Sequence, residues 1–251
     1  MQADQMTLAN PLMREIGPAT PRIPEPFIDL DLPEGTIITS ADGHWEIDEK
    51  DIFYEGFPAH LREQAPRVWF DRFVRIGYRG STEAYPITAQ VEKAIDGNIG
   101  PGSRDIELRL EHMAAEGISK EVLFPQSIPS FFGLPNVEVR ENMFRVYNDY
   151  IAEVSARKPG VFFGVGVFAN WWDPARAEAS MRQIVDLGLK TFMIPINPGQ
   201  DLDGKAIGYG DPNMDRFWDV IDEAGLPVNF HVGEGVGTTH RGGIAAASRR
   251  G

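Results

Sequence analysis

Between positions 104 and 232 the chain alternates two hydrophobic rhythms. One spaces apolar residues three and four apart, as on one face of a helix; the other is a short run of continuous apolar residues. Helical spacing covers 104–116 and stops at Gly117, and a strand follows at 120–125, apolar from Val122 onward. A second helical stretch at about 137–157 places Met143, Tyr147, Tyr150, Ile151 and Val154 on one face. Pro159-Gly160 ends it, before the apolar run 161–168. Asp173-Pro174 and Asp211-Pro212 each read as a capping residue followed by a proline at the first helical position. They open helices with the stripes Ala177, Met181, Ile184, Val185 and Phe217, Trp218, Ile221. The runs 191–196 and 227–232 follow, and 36–42 is an earlier strand.

Glu116-Gly117-Ile118, Leu187-Gly188-Leu189 and Ala224-Gly225-Leu226 are three copies of one helix–glycine–strand junction. Such alternation predicts parallel strands joined by right-handed crossovers, with both sheet faces covered. The fold class is therefore α/β. Five strands can be counted, which leaves an open doubly wound sheet or an incomplete (β/α)8 barrel with about five βα units. Residues 1–35, with Pro11, Pro18, Pro21, Pro24, Pro26 and Pro33, read as an extended arm, and 36–251 as the partial barrel. Within it, 43–103 reads as a long irregular insertion loop, of a length usually tied to function.

The chain has 251 residues, 24 Lys+Arg and 37 Asp+Glu, for a net charge of −13. That balance argues against a nucleic-acid partner, since phosphate binding calls for clustered basic residues. The absence of cysteine removes thiolate nucleophiles, disulfides and cysteine-held metals, and fits a cytoplasmic protein. The most apolar stretch, 160–172, is too short for a membrane span and is broken by Gly164, Gly166 and Asn170.

Three ionisable side chains alternate at the end of the first strand: Asp42, His44 and Glu46 share one face. Charges gathered on an inward face need a partner. A divalent metal is the simplest, since imidazole and carboxylate both ligate Zn²⁺ or Mn²⁺. The alternative is that Asp42 and Glu46 lie in solvent and His44 is hydrogen-bonded. His231 closes the fifth strand, where α/β folds bind ligands, and its alternative is a satisfied core histidine. In a barrel, strands one and five face a common mouth, so a metal held by both also argues for the barrel. Arg72 and Arg75 are candidates for a substrate carboxylate, against a solvated face; His60, His112 and His240 read as surface residues. Gly164-Val-Gly166-Val-Phe-Ala169 fits a dinucleotide pattern, but its glycines fall inside a strand. Gly233-Glu-Gly235-Val-Gly237 reads as a mobile loop able to cradle an anion.

Ser40-Ala-Asp42-Gly-His44-Trp-Glu46, Arg109-Leu-Glu-His-Met113-Ala-Ala-Glu-Gly117-Ile, Tyr147-Asn-Asp-Tyr150-Ile-Ala152, the strand 162–168 and Gly225-Leu-Pro-Val-Asn-Phe-His231 together resemble one family. It is the amidohydrolase-related family that includes aminocarboxymuconate semialdehyde decarboxylase and the resorcylate-type decarboxylases, and the likeness spans about 36–235. The resemblance implies a (β/α)8 barrel holding one divalent ion, zinc or manganese. Its ligands here would be Asp42 and His44, or His44 and Glu46, with His231. It also implies a small organic carboxylate as substrate, hydrolysed or decarboxylated without an oxidant. The family's catalytic histidine after strand six and aspartate after strand eight have no counterpart in this sequence. The likeness is to the N-terminal two-thirds of a member, so a truncated and catalytically silent chain, or one that self-associates, is the competing expectation. A nucleotide-binding module, resting on Gly164–Ala169, is a third.

Overall fold

The computed structural model describes residues 32–47, 51–70, 74–78, 101–126, 128–134 and 136–231. All but the last four residues of the expected arm, and the whole 233–237 glycine loop, lie outside them. Five parallel strands form one sheet in the order β1 (Thr39–Trp45), β4 (Lys120–Pro125), β5 (Phe162–Val167), β6 (Thr191–Met193) and β7 (Val228–Asn229). Helices α2 (Ile106–Ala115), α3 (Val137–Arg157), α4 (Ala177–Asp186) and α5 (Asp215–Ala224) supply the connections between the later strands. The expected α/β class is that of the structure, and the five expected strands make up this sheet; among the described residues two further strands lie outside it.

The junction glycines do what their repetition suggested. Gly117, Gly188 and Gly225 have φ of 71°, 73° and 62°, a region that costs other residues a Cβ clash. Asp105, Asn136 and Asp173 cap the following helical turns through Leu108, Glu138 and Val139, and Ala175 amides. Asp211 differs: its carboxylate accepts from the Gly208 amide behind it and makes no cap bond into the helix. Val185, expected in the buried stripe of α4, is half exposed.

The insertion 43–103 is not uniformly irregular. It carries α1 (Ile52–Gly56) and an antiparallel hairpin, β2 (Pro66–Phe70) with β3 (Val74–Tyr78). Phe53 and Phe57 of this segment are buried in the core, and a Cβ on Gly56 would lie 2.7 Å from Val146 of α3. The insertion is thus packed onto the barrel helices at its start. The first strand is also displaced from 36–42 to Thr39–Trp45.

α3 is the central prop of the sheet. Its buried face holds Met143, Phe144, Tyr147, Ile151 and Val154, at helical spacing. Asn148, fully buried, donates to the Val167 carbonyl (2.9 Å) and accepts from the Val167 amide (2.7 Å), extending the hydrogen bonding of β5 into the helix layer. Tyr150 ties in β1: Trp45 Nε1 donates to its hydroxyl at 3.1 Å. Close packing of α3, together with Leu189, onto β5 accounts for the glycines of the dinucleotide-like pattern. A Cβ on Gly164 would sit 2.5 Å from Ile151 Cγ1 and 3.0 Å from the Ile151 carbonyl, and one on Gly166 would meet Leu189 Cδ1 at 3.0 Å. These are packing glycines within a strand, without the strand–loop–helix setting of a nucleotide site.

At the C-terminal end of β5, Trp171 and Trp172 meet edge to face (4.6 Å), with the Arg140 guanidinium 3.8 Å from the Trp172 ring. Burial pulls Arg140 down to about 10, so it stays charged at neutral pH. Cation–π contact and its bond to the Phe132 carbonyl (3.0 Å) offset the lost hydration.

Gly164→Ala is expected to lower stability by about 1–3 kcal/mol, as overpacking against backbone does. Gly166→Ala, whose nearest contact is a flexible leucine methyl, is expected to lose less. Urea denaturation midpoints of the two variants check the order.

Candidate metal centre

A flat sheet with about 4.8 Å between strands would hold β1 and β7 roughly 19 Å apart, four strand steps away. Instead the rings of His44, from β1, and His231, two residues beyond β7, lie 5.1 Å apart, edge to face at 82°. The sheet is curled, and its first and last strands close on one mouth at their C-terminal ends. This is the curvature of a barrel wall, and it excludes the flat doubly wound alternative.

The local geometry of β1 aims the side chains. Ser40 pairs with Glu121 and Gly43 with Leu123, so β1 advances three residues while β4 advances two. This one-residue bulge precedes His44, and bulges often re-aim side chains next to functional sites. Past it, Gly43 and Trp45 lie on the helix side and His44 on the concave side, where the carboxylate of Asp42, from within the bulge, joins it. His44 pairs in register with Phe124 of β4, whose ring is 6.1 Å from His44 and 5.1 Å from His231. Phe124 forms an apolar wall against both imidazoles.

Asp42, His44 and His231 each offer one donor atom, and the three atoms lie within 4.8 Å of one another. Asp42 Oδ1 is 3.3 Å from His231 Nε2. Two donors about 2.1 Å from a common ion at the tetrahedral angle are about 3.4 Å apart, so this separation suits a divalent ion. Two imidazole nitrogens and one carboxylate oxygen are the donor chemistry of zinc, manganese and iron sites. Asp42 is largely exposed and His44 and His231 partly buried, which leaves the group reachable from the mouth. The His44 imidazole is held below its ordinary value of 6.5, first by burial, then by His231; Asp42 opposes this. At neutral pH His44 is therefore an uncharged donor.

Glu46 is fully buried just past β1, where its Oε1 accepts from the Ile47 amide at 2.8 Å, and it is not among the clustered donors. Arg75 lies on β3, paired in register with Trp69; Arg72 is outside the described residues. His60 is exposed and pairs with Glu138 at 3.0 Å, as a surface residue does. His112 is not a plain surface residue: its Nε2 is buried without a hydrogen-bond partner among the described residues. His240 lies outside the described residues.

Sequence reading missed Gln126. It follows β4, its amide continues the ladder by donating to the Trp45 carbonyl (3.0 Å), and its Oε1 is buried with no hydrogen-bond partner among the described residues. Being two residues beyond Phe124, it falls on the same face of the strand. The available signal was the alternation Phe124, Gln126 at a strand end.

The His44 shift carries a sign. Because its folded value lies below the unfolded 6.5, the unfolded chain takes up its proton first as pH falls. This contribution to stability is complete above 6.5 and is lost as pH drops below it. Urea midpoints at pH 5 and pH 7.5 are expected to differ less in His44→Asn than in the parent chain.

A family profile described as amidohydrolase matches residues 117–249. A curated relative, the 2-amino-3-carboxymuconate-6-semialdehyde decarboxylase of Dictyostelium discoideum, is 24% identical over 178 residues, covering 68% of this chain and 47% of that protein. The chain thus spans about half the length of the curated relative it matches. Among solved structures, an amidohydrolase from Mycobacterium avium subsp. paratuberculosis K-10 superposes with TM-score 0.59 at 16% identity, over 80% of this chain and 60% of that one. A 5-carboxyvanillate decarboxylase from Novosphingobium aromaticivorans, complexed with manganese and 4-hydroxy-3-methoxy-5-nitrobenzoic acid, gives TM-score 0.49 at 19% identity, over 84% of this chain and 53% of that one. Among the described residues no helix is long and apolar enough to cross a membrane.

Proposed function

The chain belongs to the amidohydrolase family, and from that premise we propose that it carries the metal-binding half of a site for non-oxidative decarboxylation of a small organic carboxylate. The observation that carries this reading is the convergence of Asp42, His44 and His231 from opposite edges of the curled sheet. The curated relative, itself a decarboxylase, supports carbon dioxide release over hydrolysis.

In this reading Asp42, His44 and His231 hold one divalent ion, zinc or manganese. Such an ion supplies positive charge that orients a carboxylate and stabilises charge developing on its neighbour. The protein's own groups do the rest. His44, kept neutral by burial, offers a lone pair without first losing a proton. Phe124 excludes water from one flank of the two imidazoles. Arg72 and Arg75 are the guanidinium candidates for the substrate's carboxylate, and Glu46 stays outside the ligand set. The carbon–carbon bond breaks, its electron pair remains on the substrate carbon, a proton replaces the lost group and carbon dioxide leaves.

Titration of the purified chain with MnCl₂ and ZnCl₂ by calorimetry is expected to show one site. His231→Ala is expected to weaken it at least about 100-fold, the upper end of the cost of losing mere supporting partners. Unchanged affinity in His231→Ala would overturn the reading. Affinity should fall as pH drops through the imidazole range, because the ligands bind deprotonated. Carbon dioxide release from hydroxybenzoates by the loaded chain, against ammonia or acid release from amides and esters, separates decarboxylation from hydrolysis.

A further inference from the structure

Under the ligand strand lies an ion pair that the proposed chemistry does not use. Arg109 of α2 donates from both Nε and Nη2 to the Glu121 carboxylate of β4, each at 2.7 Å. Glu121 is only 4% exposed. Its carboxylate fills the place where a side chain at position 43 would stand: a Cβ on Gly43 would be 2.3 Å from Oε1, 2.6 Å from Cδ and 2.7 Å from Cγ. Gly43 separates Asp42 from His44, and it ends the bulge, which begins at Ser40 opposite Glu121 itself. The backbone joining two clustered donors therefore rests directly on a carboxylate, and a two-pronged guanidinium clamps that carboxylate from the helix layer.

We propose that Arg109 and Glu121 are positioning residues: their ion pair props the bulge of β1 so that Asp42 and His44 converge on His231. The chemistry favours this over a role in stability alone. A buried ion pair is a weak source of stability, often matched by well-packed apolar residues. A bidentate arginine–carboxylate pair, by contrast, fixes both distance and plane. The pair meets the donors through the glycine backbone, which a side chain at position 43 would block, and the Arg109 charge also bears on the His44 imidazole through space. The inference rests on the metal-site reading above, so its test includes a readout that needs no metal.

Arg109→Lys and Glu121→Gln each spoil the fork, and the double variant Arg109→Met/Glu121→Leu replaces the pair by apolar bulk that retains folding. In calorimetry with MnCl₂ or ZnCl₂ alone, all three are expected to bind about tenfold or more weakly than the parent chain, the scale of losing an outer-shell partner. Thermal melts report folding, and in the double variant the melting temperature should recover while affinity does not. The second readout is the ring-nitrogen NMR spectrum of His231 in metal-free protein. Asp42→Asn should shift it in the parent background and leave it unmoved in the double variant. A double variant that binds metal within twofold of the parent, or in which Asp42→Asn still shifts His231, overturns the positioning role. A parent chain that binds no metal overturns the metal reading, and the NMR comparison still decides the role of the pair.

Discussion

The constraint on which the rest depends is the close seating of α3 on β5. At Gly164 and Gly166 the strand gives up its side chains on one face; α3 atoms occupy the space a Cβ on Gly164 would need, and Leu189 with Asn148 of α3 that on Gly166. Asn148 then bonds the backbone of Val167 from the helix, and Tyr150 reaches across to Trp45 at the end of β1. One helix thus gathers the central and first strands, and the parallel sheet around it bends into a curved wall. Curvature turns two strands at opposite ends of the sheet order into neighbours, and the donor cluster exists only because of it.

Much of this was readable from residues alone, for definable reasons. β4 and α3 fall at the predicted positions because the apolar run 122–125 close behind Gly117 and the amphipathic face of a 21-residue helix leave little freedom of register. The three helix–glycine junctions were visible because each needs a backbone conformation that few other residues tolerate. The hairpin β2–β3 was not visible: the sequence between its strands, Asp71-Arg72-Phe73, holds no glycine or asparagine as a turn signal, and the strand sequences lack clean alternation. β1 was placed three residues early because the bulge at 40–43 breaks the two-residue period that pattern reading assumes.

The donor cluster was legible for a different reason. Strand ends are where α/β folds expose function, so Asp42, His44 and His231 announced themselves by chemistry and location. Glu46 shared their periodicity, but the strand stops at Trp45, and its carboxylate turns to the neighbouring backbone amide. Gln126 offered only its alternation with Phe124 at a strand end, and the Arg109–Glu121 clamp was beyond reach: neither of its residues is unusual where it stands, and its meaning arises from the Gly43 backbone that faces it. His112 misled because a histidine on a mixed helix face is ordinarily solvated, whereas here its Nε2 is enclosed.

The 3.3 Å contact between Asp42 and His231 joins residues 189 positions apart in the chain. Closing so long a loop is a late and entropically costly event, gained only when all five strands have assembled in order. An ion that needs both ends of that loop has no counterpart in the unfolded ensemble, so its binding free energy adds directly to the native side of the equilibrium. Cation concentration would then act as a throttle on how long the finished fold survives, quite apart from any turnover.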